Sequence, residues 1–207
     1  KITPIYTNES EAINKLLSGK VFMAITSRDF KPSELQNLKD RQQFPRSVKF
    51  AYDGLALIQN NLNVDSCITV NDIKRILRGE VTHWNQIYPK SKLGEITVVF
   101  DNPKSSSVHF AEDSILGGKP ITTPHVVAVK QTAEVINYVE QNKGAIGIIG
   151  SNWLNDKRDS TNLMFKKNIR PMAVTSLPKA NVANSWKPYQ YYFYNGNYPL
   201  VRTLYIL

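Results

Sequence analysis

Cysteine, histidine and long apolar runs are scarce in this sequence of 207 residues. The single cysteine, Cys67, excludes an internal disulfide, because a bridge needs two thiols. The three histidines stand far apart, and none of them forms with the cysteine the spacing of a familiar metal site. No stretch approaches the roughly 20 apolar residues that a membrane-spanning helix requires. We therefore predict no metal, no cofactor and no membrane span.

The motifs of common enzyme classes are also missing. The sequence has no G-x-S-x-G elbow, no Walker loop and no H-E-x-x-H. Three glycines spaced by two residues, Gly144, Gly147 and Gly150, follow a predicted helix rather than a strand, which argues against dinucleotide binding. A dyad of Ser107 and His109 would need an orienting group and an oxyanion hole that the sequence does not suggest. We predict no catalysis, with a serine-dependent phosphoesterase as the less favoured alternative.

Acidic residues are few, since 17 Asp and Glu stand against 26 Lys and Arg and leave a net charge of +9. A basic surface attracts acidic partners such as nucleic acid, anionic lipid and small anions. The basic residues are dispersed, however, and the densest cluster is only Lys166, Lys167 and Arg170. This dispersal favours a solvated basic surface, and we predict no nucleic-acid partner.

Strand-like and helix-like segments alternate along most of the chain. Short apolar runs predict strands at 2–6, 21–26, 47–61, 96–100, 125–129 and 145–150. Helical periodicity predicts helices within 7–20, 27–41, 69–79, 107–116 and 132–144, with Ser10, Ser33 and Thr69 as N-caps. From residue 160 onward the chain, which ends in the Tyr-rich segment 190–207, is interpreted as strands and turns. This alternation is typical of an α/β fold with largely parallel sheets.

Hydroxyl and charged side chains follow several predicted strands at the points where helices begin. They are Ser10 after the first strand, Thr26, Ser27 and Arg28 after the second, and Asp101, Ser105, Ser106 and Ser107 after the strand at 96–100. Ligands of open α/β sheets bind beyond the carboxyl ends of strands, where helix N-termini offer free N–H groups to anions. Each junction alone is more typical of plain helix capping. Three such junctions together favour an oxyanion site.

Longer stretches resemble the phosphate-binding proteins of phosphate ABC transporters. YTNESEAINKLLSGKVFMAITSR resembles a strand–helix–strand unit of that family, and FAYDGLALIQNN with ITVNDIKRILRGEVTHWNQI resembles its lobe-crossing strand and the next helix. VVFDNPKSSSVHF matches the strand and S-G-T-type phosphate loop, while GAIGIIG and YPLVRTLYIL match a late strand and the returning hinge strand. The resemblance implies a two-lobed periplasmic binding protein fold of type II. One anion would lie between lobes that close on a hinge of two crossing strands.

The resemblance also implies roles for individual residues. Ser10 falls on a ligand-contacting serine at a helix start, and residues 105–107 fall on the phosphate loop. Arg28 stands where the better-studied members have an aspartate, and Asp101 stands where they have an arginine. We expect Arg28 to attract the anion and Asp101 to accept a hydrogen bond from protonated phosphate, which sulfate does not donate. The alternative is that Asp101 only shapes a turn.

By the same resemblance, residues 1–60 and 166–207 would form an incomplete first lobe, and residues 61–165 the second lobe. Because Lys1 is not an initiator methionine, we expect an upstream segment. The expected function is phosphate capture for an ABC transporter permease, in the periplasm or otherwise outside the cytoplasm, with lipid anchoring as in lipoproteins. An incomplete lobe would favour self-association through its exposed sheet. The alternative is a sensor or interaction module with weak or lost ligand binding.

Overall fold

The computed structural model describes residues 2–154 and 168–207. Its helices are α1 (Glu9–Leu17), α2 (Pro32–Asp40), α3 (Val70–Leu77), α4 (Ser106–Phe110), α5 (Thr132–Gln141) and α6 (Gln190–Tyr194). A π-helical turn, Ala111–Ile115, continues α4, and 3-10 turns cover Trp84–Gln86 and Ser151–Leu154. The strands are β1 (Ile25–Thr26), β2 (Val48–Asn60), β3 (Cys67–Thr69), β4 (Thr97–Phe100), β5 (Val126–Ala128), β6 (Ala145–Gly150), β7 (Ile169–Pro171), β8 (Ala173–Thr175) and β9 (Val201–Ile206).

Seven of these strands form one mixed sheet in the order β1-β9-β2-β6-β4-β5, with β7 also paired to β2. Strands β5 and β6 both run parallel to β4, as the alternating sequence predicted. Every pair that involves β2 or β9 is antiparallel. A separate parallel sheet joins β3 to β8. The α/β class is confirmed, and the sheet is mixed rather than largely parallel.

Strand β2, with 13 residues, connects the two parts of the sheet, because each half of it pairs with different strands. Residues 48–54 pair with β9, whereas residues 55–60 pair with β6 and β7. A register shift between Lys49 and Ala51 interrupts the pairing with β9, as a bulge does. Strands β2 and β9 therefore lie side by side, as expected of the two crossing strands.

The second half of β2 is buried on both faces, which explains the continuous apolar run at residues 55–58. Leu55 and Leu57 belong to a core that also contains Trp84 and residues of α3. Ala56 and Ile58 belong to a second core, which includes apolar residues of α5. The helices on the two faces thus fix the register of this half, because a one-residue slip would exchange the two sets of side chains.

The predicted strands at 2–6 and 21–26 are wrong in most of their length. Residues 2–8 have no regular secondary structure, and within 21–26 only Ile25–Thr26 pairs, beside β9. Apolar side chains of these segments are exposed, among them Ile2, Tyr6 and Phe22. An apolar run becomes a buried strand only where neighbouring strands complete its hydrogen bonds. In the described part of the chain, β1 has such a neighbour on one side alone.

Two of the predicted helix caps are also wrong. Helix α1 is capped by Asn8 rather than Ser10, and α2 begins after Lys31 rather than after Ser33. In both cases the helix starts two residues earlier than predicted. Ser10 and Ser33 lie within the first turn of their helices and therefore do not cap them. Thr69 caps α3 as predicted.

The Tyr-rich segment contains helix α6, where strands were predicted, and ends in β9. Phe193 of this helix contacts Tyr198, with ring centroids 5.4 Å apart. It also covers Gly54 so closely that a Cβ there would clash with the ring. The basic pair Lys166–Lys167 and the predicted lobe border after residue 165 lie outside the described residues.

The buried hydroxyl of Tyr198 provides a test of this packing. It donates to the carbonyl oxygen of Leu55 at 2.6 Å, where β2 changes its neighbours, and burial raises the pKa of Tyr198. We expect Tyr198→Phe to lower the free energy of unfolding by about 1–2 kcal/mol, because the carbonyl loses a buried donor. Urea unfolding followed by circular dichroism measures the change.

Tyr194→Phe, at an exposed tyrosine of α6, is the matched control and should leave the unfolding midpoint unchanged. Equal midpoints for both variants would contradict the packing of Tyr198 against Leu55.

Candidate oxyanion-binding site

Residues at the N-termini of three helices, α1, α4 and α5, line one cavity of about 360 Å³. Its lining consists of Thr7, Asn8, Glu9, Asp101, Asn102, Ser105, Ser106, Lys130, Gln131, Thr132, Ala133 and Trp153. The first N–H groups of an α-helix have no acceptor within the helix, and the helix dipole makes that end positive. The cavity therefore offers hydrogen-bond donors and the positive ends of three helix dipoles, which favour an anion, although the carboxylates of Glu9 and Asp101 also line it.

The three predicted serines have three different environments. Ser105 caps α4 by accepting a hydrogen bond from the N–H of Val108 at 3.3 Å. Ser106 lines the cavity, and its Oγ accepts from Nη1 of Arg202 at 2.8 Å. Ser107 is buried and does not line the cavity. The serine run thus caps its helix and contributes Ser105 and Ser106 to the cavity lining.

Asp101 follows β4 and lines the same cavity. Its Oδ2 lies 3.5 Å from Oγ1 of Thr132, at the N-terminus of α5. Its Oδ1 is inaccessible to solvent and receives no hydrogen bond from the described residues. Buried carboxylate oxygens normally have a donor. A ligand with an O–H or N–H group would supply that donor after a rotation of the carboxylate that turns Oδ1 towards the cavity.

Arg202 is a cation near this cavity that the sequence interpretation did not identify. Its Nε and Nη2 donate to Oδ2 of Asp53 at 3.1 and 2.7 Å, while Nη1 reaches Ser106. The other oxygen of Asp53 accepts from Oγ of Ser151 and from the N–H of Gly54, both at 2.7 Å. The side chains of Arg202 and Asp53 are largely buried, at 9% and 16% exposure. The available signal was the single acidic residue of β2, Asp53, and the single basic residue of β9, Arg202.

Glu9 is a second residue that the sequence interpretation missed. Its Oε1 accepts from the N–H and the hydroxyl of Ser27 at 2.6 and 2.7 Å, and its Oε2 lies 3.2 Å from Nδ1 of His109. Burial favours the neutral acid, but the hydrogen bonds from His109 and Ser27 outweigh it and lower the pKa of Glu9. A buried, ionised carboxylate therefore lies at the N-terminus of α1.

Arg28, the predicted ligand cation, is engaged by another side chain. Its two terminal nitrogens donate to the two oxygens of Glu34 at 2.9 and 2.7 Å, and one of them also donates to the carbonyl of Asp29. The hydrogen bond to Glu34 is the main reason why the pKa of Arg28 is raised. The hydroxyl of Thr26 donates to the carbonyl of Arg28 at 2.7 Å. These contacts stabilise the turn after β1, and the guanidinium of Arg28 is bound by other groups of the chain.

The structure thus brings together part of the predicted site. Asp101, Ser105 and Ser106 line the cavity, whereas the remaining predicted residues do not: Ser10, Thr26, Ser27, Arg28 and Ser107. Ser27 is joined to the cavity lining through Glu9.

The order of Ser10, His109 and Glu9 is that of a hydrolase triad. Oγ of Ser10 lies 3.4 Å from Nε2 of His109, whose Nδ1 faces Glu9. Neither Ser10 nor His109 lines the cavity, however, and no side-chain hydrogen bond joins His109 to the predicted nucleophile Ser107 within the described residues. This geometry does not favour the phosphoesterase alternative, because a nucleophile must reach a bound substrate.

A family model described as "PBP superfamily domain" matches residues 1–207. The chain belongs to this family. The phosphate-binding protein PstS of Staphylococcus aureus (strain USA300) is 25% identical over 161 residues, which cover 77% of this chain and 48% of the relative. The chain therefore spans about half the length of the curated relatives that it matches.

Solved structures of PBP superfamily relatives confirm the fold. One of them is a putative phosphate ABC transporter substrate-binding protein from Clostridium perfringens, with bound phosphate. It has a TM-score of 0.73 at 21% identity, and the match covers 96% of this chain and 70% of the C. perfringens chain. An ABC-type phosphate transport receptor from Vibrio cholerae has a TM-score of 0.69 at 22% identity, with coverages of 96% and 71%. Among the described residues, no helix has the length and apolar character for a membrane span, and no cluster of three potential metal ligands occurs.

The ion pair of Arg202 and Asp53 can be tested by removing its cation. We expect Arg202→Met to lower the free energy of unfolding by about 2–4 kcal/mol, because the largely buried carboxylate of Asp53 loses its partner. Guanidinium unfolding measures the loss. The double variant Asp53→Asn/Arg202→Met should recover part of it.

The matched control is Lys15→Met, which removes an exposed cation paired with Glu11 on α1. That pair is open to solvent, so its loss should not shift the unfolding midpoint measurably. Equal stability of Arg202→Met and Lys15→Met would show that the buried pair does not stabilise the crossing strands.

Proposed function

We propose that the protein is a solute-binding protein that captures phosphate or a similar oxyanion and delivers it to an ABC transporter. The observation that carries this proposal is that three helix N-termini meet at one cavity together with Ser106 and Asp101. Membership of the PBP superfamily and the names of the similar proteins, which are phosphate-binding proteins of transport systems, support it.

Asp101 gives the proposed site its selectivity. An oxyanion that carries a proton would donate a hydrogen bond to the carboxylate of Asp101, whose Oδ1 has no donor among the described residues, whereas a fully ionised oxyanion places two negative charges together. Hydrogenphosphate and arsenate carry such a proton at neutral pH, and sulfate does not. Ser106 and the N–H groups of α4 and α5 would donate to the other oxygens.

The remaining predicted contacts stay part of the proposal as contacts of a rearranged site. Ser10, Thr26, Ser27, Arg28 and Ser107 would reach a ligand only if their hydrogen bonds or positions changed. Arg28 would have to exchange Glu34 for the anion. Such an exchange accompanies lobe closure in our proposal.

The division into lobes likewise remains a proposal, with residues 1–60 and 166–207 opposite residues 61–165. The pairing of residues 55–59 with β6, a strand of the proposed second lobe, supports a border near Gly54 rather than after Asn60. Strands β2 and β9 would act as the hinge, and the cavity lies where helices from both proposed lobes approach.

The proposed partner is a transporter permease, and the proposed location is outside the cytoplasm, in the periplasm or at the cell surface through a lipid anchor. The names of similar proteins, among them a periplasmic phosphate-binding protein, support the location.

An oxyanion panel tests the proposed function. We expect phosphate and arsenate to raise the melting temperature, and sulfate at equal concentration to leave it unchanged, because ligands that bind only the native state stabilise it. Isothermal titration calorimetry then measures the affinity for phosphate. In Asp101→Asn the amide can donate to sulfate, so discrimination between phosphate and sulfate should fall by about tenfold or more.

Asp40→Asn, an exposed carboxylate of α2 outside the cavity, is the matched control and should keep the selectivity of the wild type. Absence of any shift with all three anions would contradict the proposed function and favour a module that has lost its ligand. Release of p-nitrophenol from a chromogenic phosphoester would favour the phosphoesterase instead.

We also propose that the protein self-associates through the exposed apolar residues of the first lobe. Phe22, Val48, Phe50 and Tyr52 are all exposed on or beside β1 and β2. Analytical ultracentrifugation should show a mass that rises with protein concentration, and Phe22→Ser/Phe50→Ser should remain monomeric. A constant monomer mass for the wild type would refute this proposal.

A further inference from the structure

We propose that the carboxylate of Glu9 occupies part of the oxyanion site itself and thereby limits the affinity for oxyanions. This inference rests on the proposed function. It identifies Glu9 as a residue that determines occupancy and specificity, although the sequence interpretation assigned it no role.

The donors that hold Glu9 are of the kind that binds an oxyanion. A backbone N–H and a hydroxyl of Ser27 donate to one oxygen at 2.6 and 2.7 Å, and a ring nitrogen of His109 faces the other at 3.2 Å. The two short distances to Ser27 are typical of charge-assisted hydrogen bonds to an anion. The predicted ligand donor Ser27 is therefore already saturated by an anionic group of the chain.

The carboxylate of Glu9 also lies where a bound anion would lie, buried in the cavity lining rather than exposed on the protein surface. It is the first residue of α1, it is 8% exposed, and it lines the cavity together with Asp101 and Ser106. Its contacts come from two directions, since Ser27 follows β1 and His109 belongs to α4. The carboxylate thus bridges elements that the proposed function assigns to opposite lobes.

The charges around Glu9 determine what an incoming oxyanion encounters. Arg28 lies near enough for Glu9 to favour its charged form, but its guanidinium is bound by Glu34. Asp101 adds a second carboxylate to the cavity lining, and Lys130 is exposed at its edge. An oxyanion therefore meets a fixed negative charge where the donors of Ser27 are occupied. Removing that charge, or the side chain, should strengthen binding.

The experiment compares phosphate affinities by isothermal titration calorimetry in the full chain. We expect Glu9→Gln, which keeps the shape and removes the charge, to bind phosphate about tenfold more tightly than the wild type. Glu9→Ser, which also vacates the donors, should bind at least as tightly as Glu9→Gln. The matched control Glu11→Gln removes the same charge two residues further along α1, at a side chain that is paired with Lys15 outside the cavity. It should stay within about twofold of the wild type.

The outcomes separate this inference from the proposed function. If the wild type binds phosphate and both Glu9 variants bind it equally or more weakly, while melting cooperatively, Glu9 is a supporting residue and the inference is overturned. If the wild type, Glu9→Gln and Glu9→Ser all fail to bind phosphate and arsenate, the proposed function is overturned and the inference falls with it. Tighter binding by the Glu9 variants than by a wild type that binds phosphate weakly would support both, whereas binding by the variants alone would support the inference and contradict the proposed function of the wild type.

Discussion

The structure depends most on the ion pair between Arg202 and Asp53, because it lies where the two crossing strands meet. The two residues face each other directly in the register of β2 and β9. Beyond this pair, Arg202 reaches Ser106 of α4, and Asp53 reaches Ser151 after β6. A largely buried charge needs such a complete set of partners, since any unpaired group would be strongly destabilising. Movement of β9 relative to the serine loop therefore has to break or rearrange this network.

Sequence patterns predicted the strands at the centre of the sheet better than the strands expected within the first 26 residues. The second half of β2, β4 and β6 are buried on both faces, so their apolar runs carry an unambiguous signal. Segments 2–6 and 21–26 are equally apolar but largely lack strand structure, because a strand also requires a neighbour with which to pair. That neighbour is a property of the tertiary fold, and no local window of sequence contains it.

In the site, the residues that follow a buried strand could be predicted from the sequence, whereas the partners of the side chains could not. The rule that ligands bind beyond strand ends correctly directed attention to Asp101 and Ser106, which line the cavity. The choice of side-chain partners could not be predicted, since Glu9 meets Ser27 across 18 residues and His109 across 100. Arg28 pairs with Glu34 only six residues away, and that spacing crosses a loop and a helix start rather than one helix face.

The balance of charge in the cavity connects these features to selectivity. Each helix N-terminus contributes roughly half a positive elementary charge, so α1, α4 and α5 alone offset the carboxylates of Glu9 and Asp101 only in part, and the exposed Lys130 supplies the remaining positive charge. A doubly charged anion would therefore enter a site that is already close to neutral. An oxyanion that carries a proton relieves the repulsion at Asp101, and displacement of Glu9 would free the donors of Ser27. Selectivity for protonated oxyanions and limited affinity thus follow from the same two carboxylates.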